Sequence, residues 1–302
     1  MVKKIDIHVH TREVVGPYRS LTRENDTYCT PEQLMEKYEE YGIERGVILP
    51  GINPEGATHP QSLDEVMAIC EKYPDKFSWF MNIDPRAVKN SENSDFTYLL
   101  EYYKERGAKG LGEICANLSF DDPRVLKLFA DCEKCNVPVV FHMTLKQGND
   151  YGLIDELGLP RLEKVLGMFP KLIILAHSQA FWAHMSADVT ADSTGGYPKG
   201  KVTDGRVAEL MRKYPNLHGD MSAGSGCNAF MRDPEHAYKM IEEFQDRLYY
   251  GTDICDPRNA TNSMLLLGGF LDDAMEKGKI SYEAYYKVCR GNALKLLGVE
   301  DK

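Results

Sequence analysis

Ile5-Asp6-Ile7-His8-Val9-His10 is the stretch from which the rest of the chain is read. It is apolar and β-branched, the composition of a buried strand. Strand side chains alternate faces, so His8 and His10 are expected to point the same way, with Ile5, Ile7 and Val9 opposite. Asp6 shares the histidine face one step deeper and is expected to be hydrogen-bonded inside the barrel that the later segments predict. Two imidazoles converging at the end of a buried strand form half of a metal site.

Working outward, strand-like and helix-like segments alternate. The strand-like runs are 4–10, 46–50, 77–83, 108–114, 137–143, 172–177, 217–221 and 248–253. Helical patterns lie between them at 31–41, 61–73, 95–106, 122–135, 160–169, 205–214 and 234–244, with another near 263–277. Thr30-Pro31, Asp122-Pro123 and Asp233-Pro234 each set a capping residue before a proline, a helix-start signal. Tyr73-Pro74, Phe169-Pro170 and Tyr214-Pro215 stop helices shortly before a strand. Eight strands each followed by a helix predict an α/β fold, a (β/α)8 TIM barrel, formed by one domain over residues 1–302. Long connections at 11–30, 145–159 and 178–203 follow strand C-termini, where a barrel places its active site.

Composition excludes several classes. A net charge of −10 and the absence of a basic stripe argue against nucleic acid as partner. No apolar run approaches membrane-spanning length, and no apolar signal segment follows Met1-Val2-Lys3-Lys4. A cytoplasmic location with eight reduced cysteines is the expectation. Cys132 and Cys135 form a CxxC within a helical pattern, but no second CxxC completes a tetrahedral site, so they are read as structural thiols.

The polar residues that end the strands carry the chemistry. After His8 and His10 come Glu113, His142, His177 and Asp253, each metal-competent and each closing an apolar run. Imidazole and carboxylate together suit zinc, and also iron, manganese or nickel. This pattern resembles the metal-dependent amidohydrolase superfamily, through the HxH of strand one, single histidines ending strands five and six, and the aspartate of strand eight. The resemblance spans essentially the whole chain, including Arg290-Gly291-Asn292-Ala293, which looks like that superfamily's closing helix. Within it the chain looks nearest to the amidohydrolase-related branch, which contains hydrolases of lactones and amides as well as decarboxylases.

Many members carry a carboxylated lysine on strand four. Here that strand ends in Gly112-Glu113-Ile114, similar to the Gly-Glu-Ile of TatD-type hydrolases, where the glutamate bridges two metals. Lys109 lies four residues earlier, too deep to bridge. The resemblance implies that His8, His10 and Asp253 hold the more buried metal with Glu113 shared. His142 and His177 then hold the second, or His177 orients substrate if there is only one. It also implies Asp253 as general base toward a metal-activated water. The cofactor expected is a divalent metal, zinc foremost, at one or two ions per chain. Arg12, Arg19, Lys146 and His184 are candidate substrate-binding residues, and Arg258 is a further loop cation. His59, His218 and His236 are assigned structural or surface roles, with Asp220 on the face of His218.

The expected function is a metal-dependent hydrolase of a small ester, lactone or amide. The alternative is a metal-dependent decarboxylase of an unsaturated or aromatic acid. The acidic chain argues against a TatD-like nuclease, and the full ligand set against a barrel that only binds metal. The expected partner is a small-molecule substrate. Barrels of this kind often dimerise, so a homodimer is the association to test, although no exposed apolar stripe marks it.

Overall fold

The structure is a computed structural model that describes residues 1–13, 27–57, 59–256 and 265–301. Eight parallel strands form the barrel wall: β1 (Lys4–Val9), β2 (Ile43–Ile48), β3 (Phe77–Trp79), β4 (Leu111–Ile114), β5 (Val139–Phe141), β8 (Ile174–Ala176), β9 (Leu217–Asp220) and β10 (Leu248–Tyr249). They are ordered β1-β2-β3 and β4-β5-β8-β9-β10, with every pair parallel. Two single bridges close the ring, Met81 with Leu111 and Val9 with Ile254. Two short strands, β6 (Met143–Thr144) and β7 (Leu153–Ile154), pair with each other above β5. The fold is the (β/α)8 barrel expected from the alternation of segments.

Helices α1 (Pro31–Tyr41), α2 (Leu63–Lys72), α3 (Thr97–Glu105), α4 (Pro123–Lys134), α5 (Pro160–Met168), α7 (Arg206–Lys213), α9 (Pro234–Glu243) and α10 (Leu266–Glu276) fall on the expected helical segments. Short helices α6 (Gln179–Ala183) and α11 (Tyr282–Tyr286) and the terminal α12 (Asn292–Leu297) complete the set with α8 (Ala223–Met231). Thr30 and Gln33 form a reciprocal capping box on α1, and Asp122 caps α4 through the Arg124 N–H. Asp233 makes no side-chain cap; its carboxylate accepts instead from the Val202 N–H at 2.9 Å and from Lys201.

Three sequence expectations are corrected. Strand β2 starts at Ile43, before the expected Gly46, because Gly42 (φ +66°) ends α1 in the left-handed region and lets the chain turn straight into the sheet. Helix α8 was not expected: its two glycines are poor helix formers, but packing on α6, α9 and α10 buries most of it. The third correction bears on the site. Ile5 and Ile7 lie in the barrel interior with Val47, Leu49, Phe80 and Leu175, whereas Val9 belongs to the layer between strands and helices. The β1 register shifts between Asp6 and Val9. This bulge breaks the alternation, so that Ile7 stays inside and His8 joins His10 at the catalytic end.

Asp6 therefore points outward rather than into the barrel. Its carboxylate accepts from Tyr38 Oη of α1 (2.8 Å), Thr252 Oγ1 (2.6 Å) and the N–H groups of Thr252 (2.8 Å) and His8 (3.1 Å). It ties the bulge to the first helix and to the segment after β10. At the opposite end, Ala293, Leu294 and Leu297 of α12 pack into the interior and plug the barrel floor. No helix among the described residues is long and apolar enough to cross a membrane.

Replacing Asp6 with Ala strands two buried backbone donors and is expected to lower the unfolding free energy by about 3 kcal/mol. Tyr38→Phe removes one donor and costs about 1 kcal/mol. Denaturant titration of both variants measures the difference.

Candidate metal centre

The site is assembled from the C-terminal ends of six strands. From β1, His8 directs Nδ1 at Asp220 Oδ2 of β9 (2.6 Å), and His10 directs Nδ1 at the Leu49 carbonyl (2.7 Å). A carbonyl and a carboxylate accept, so both Nδ1 atoms carry the protons and both Nε2 atoms are left to face each other, 3.1 Å apart. Two lone pairs at that distance repel unless a positive charge lies beside them. Burial alone would push the His8 imidazole down, but Asp220, Asp253 and Glu113 raise it to about 10. The surroundings thus call for a cation at this point, either a proton or a metal ion.

Glu113 stands at the end of β4, buried beneath the histidines. A Cβ on the preceding Gly112 (φ +143°) would collide with the Val140 carbonyl, so glycine is needed for the strand to approach this closely. The Glu113 carbonyl accepts from Asn82 Nδ2 (2.8 Å), which also holds the Pro50 carbonyl (2.7 Å). The two carboxylate oxygens face different partners. Oε2 lies 3.7 Å from His8 Nε2 and 3.9 Å from His10 Nε2. Oε1 lies 2.8 Å from His142 Nδ1 and 3.7 Å from His177 Nε2. Burial would raise this carboxyl, but His142, His8 and His177 hold it well below the ordinary range.

His177 follows β8, with Nδ1 3.1 Å from Ser222 Oγ and 3.5 Å from Asp220 Oδ2. Burial and the neighbouring His8 push its imidazole down. Asp253 follows β10 in the left-handed region (φ +57°), where a non-glycine residue is strained. Its N–H donates to the His8 carbonyl (2.8 Å), and Oδ1 lies 3.2 Å from His10 Nε2 and 3.7 Å from His8 Nε2. Burial opposes its ionisation, but the three histidines beside it keep its carboxyl low. Ligand atoms fall in three overlapping triplets: His8/His10/Glu113, Glu113/His142/His177 and His8/His177/Asp220, each spanning no more than 4.8 Å. The ionised Glu113 and Asp253 beside the Nε2 atoms of His8 and His10, with Asp220 accepting from His8 Nδ1, form a donor set chemically suited to a divalent cation.

All six expected metal ligands are thus brought together. Asp220 and Ser222, which orient His8 and His177, were not expected. The signal for Asp220 is present in the sequence, since it ends strand β9 as the expected ligands end theirs. Of the substrate-binding candidates, Arg12 and His184 have other partners in the structure. Arg12 donates to the His59 and Pro60 carbonyls and pairs with Glu65, so its guanidinium is committed to holding loops. His184 is bound at both nitrogens, to the Ala180 carbonyl and the Gly158 N–H, and borders a separate recess of about 780 Å³ beside Arg206. Arg19 and Arg258 lie outside the described residues. A cavity of about 290 Å³ opens over His10, Glu113, His142 and Asp253, walled by Tyr28 and Tyr151. An adjoining recess of about 400 Å³ shares His142 and Tyr151 and carries Lys146. Cys132 is buried on α4, with Cys135 capping that helix, and both are free thiols remote from this cavity.

A family model described as Amidohydrolase matches residues 5–299. The chain belongs to the amidohydrolase family. It is a metal-dependent enzyme of that family, with the divalent-ion donor set described above. No functionally curated protein matches the chain. An uncharacterised TIM-barrel protein from Bordetella bronchiseptica is similar in structure at 21% identity and TM-score 0.66, over 98% of this chain and 99% of that one. A dihydroxybenzoic acid decarboxylase from Polaromonas with bound manganese is similar at 17% identity and TM-score 0.59, over 99% and 97%. An amidohydrolase from Burkholderia multivorans with bound zinc is similar at 13% identity and TM-score 0.61, over 98% and 99%.

Because Asp220 sets the His8 tautomer, Asp220→Asn is expected to weaken metal affinity by about 10- to 100-fold while leaving the fold intact. Competition against a chelator of known affinity, beside far-ultraviolet circular dichroism, measures both.

Proposed function

We propose that this chain is a hydrolase that uses a pair of divalent ions to direct water at a small ester, lactone or amide. The reading rests on Glu113, whose two oxygens face two different histidine pairs, as a carboxylate shared between two ions would. His8, His10 and Asp253 would hold one ion, His142 and His177 the other, with Glu113 common to both. Zinc is the first metal to try, given the imidazole-rich donor set. Bound there, a divalent ion supplies Lewis acidity toward a carbonyl and lowers the pKa of water.

The chain's own residues divide the remaining work. Asp253 borders the cavity with its carboxylate ionised, so Oδ1 can take the proton of the attacking water and return it to the leaving group. His177, steadied by Ser222, keeps its Nε2 toward Glu113, where it would serve the second ion. Tyr151 lies against the His142 ring, 4.3 Å between centroids, and separates the inner cavity from the recess that carries Lys146. The scissile group would occupy the inner space, and a polar tail would reach Lys146.

Elemental analysis of wild type beside Glu113→Ala tests this reading. Two metals per chain falling to one are expected; one in both would remove the bridge. Asp253→Asn should keep its fold and lose turnover by about 10²-fold or more on the lactone, ester or amide that proves to be the substrate. Release of carbon dioxide from unsaturated or aromatic acids, without hydrolysis, would replace this function with decarboxylation.

A further inference from the structure

The barrel floor, at the end opposite the metal centre, holds a recess of about 510 Å³, larger than the cavity over Glu113. It lies between the starts of the strands and α12. Its charged lining consists of three cations, Lys109, Arg247 and Lys295, against one carboxylate, Asp246. That carboxylate is already paired with Lys287 Nζ at 2.9 Å. Among the described residues, neither Lys109 Nζ nor Lys295 Nζ has a carboxylate within ion-pair distance. Arg247 is fixed by Nη1, which donates to the Tyr214 (3.1 Å) and Leu217 (3.2 Å) carbonyls, and it too forms no ion pair with a described residue.

The aromatic wall of the recess is rigid. His218 and Tyr249 are buried and nearly parallel (23°), and Tyr249 Oη lies 2.9 Å from His218 Nδ1. Burial, with the charges of Arg247 and Lys295, pushes the His218 imidazole down to about 4, so the ring is neutral near pH 7 and adds no cation. Uncompensated positive charge in a concave, partly buried space focuses the field on a small anion. This excess stands out in a chain whose net charge is −10.

We propose that this floor recess binds a small molecule carrying a dianionic oxyanion group, a phosphate monoester being the class that fits, at a site separate from the metal centre. The lining's three cations and one carboxylate leave a net of two positive charges, which a dianion matches. Lysine and arginine suit phosphate as point charge and directional donor respectively. The volume is that of a small-molecule site rather than of a single ion, and the flat His218–Tyr249 wall offers an apolar face to the body of the ligand.

Calorimetric titration of the metal-loaded full chain with inorganic phosphate tests the proposal, at constant ionic strength and near neutral pH, with acetate as the monoanionic comparison. One saturable phosphate site, absent with acetate, is expected. The double variant Lys109→Ala/Lys295→Ala should weaken it about tenfold or more. A control pair of exposed lysines elsewhere, Lys89→Ala/Lys239→Ala, should leave it unchanged. No saturation in wild type overturns the proposal. So does phosphate binding that survives in the double variant, which would place the anion at the metal centre or elsewhere. Equal weakening in both pairs would mean that only the general field of the protein is being read, and would overturn it as well.

Discussion

The hydrogen bond from His8 to Asp220 joins residues 212 positions apart, and the metal centre depends on what makes that bond possible. Strands β1 and β9 become near neighbours only in a closed barrel, and closure rests on the contacts of β10 with β1. Those contacts run through the same few residues: Asp253 N–H to the His8 carbonyl, His10 N–H to the Ile254 carbonyl, and Asp6 to Thr252. Barrel closure and ligand placement are therefore one structural event. The bulge at Asp6–Val9 is its pivot, because it turns Asp6 out to bind the seam and His8 in to face His10 and Glu113.

Much of this was legible in the sequence. Segment alternation reveals the barrel because capping and proline signals bound several of the helices between the strands. The ligands are legible because each is a polar residue terminating an apolar run, which burial alone does not explain. The bulge was not legible: strict alternation is the default for a strand, and one extra residue leaves no mark in composition. Helix α8 was hidden for a different reason, since its glycines lower its propensity and only tertiary packing sustains it. The partners of Arg12 and His184 were not legible, because a loop side chain's contacts cannot be read from its place along the chain.

The electrostatics of the two barrel ends are opposed. At the C-terminal end, Glu113, Asp220 and Asp253 are ionised against the cost of burial, which is tolerable only because imidazoles and a cation answer them. At the floor, cations outnumber carboxylates around a neutral His218. His218 and Asp220 sit two residues apart on one strand, yet the first imidazole is held neutral while the second side chain is held charged. The barrel strand thus passes between two environments that would each be unstable with the other's residues.

The architecture itself does not choose the reaction, because proteins of similar fold include a decarboxylase and an amidohydrolase. The choice lies in how charge is arranged around one carboxylate. If Glu113 serves a single ion, its second oxygen is left to His142 as a hydrogen-bond acceptor, and the site is a one-cation clamp that can hold and polarise an acid. If it serves two, each ion is partly neutralised by a shared charge, and the pair can stabilise both an attacking oxygen and the carbonyl oxygen it creates. Oε1 stands 2.8 Å from His142 Nδ1 while Oε2 stands 3.7 and 3.9 Å from His8 and His10, so the two oxygens address different histidine pairs and the metal stoichiometry separates the two arrangements. Asp253, partly exposed and aimed at the same space, can accept a proton from metal-activated water in either arrangement, so the base is common to both and the shared carboxylate is what differs.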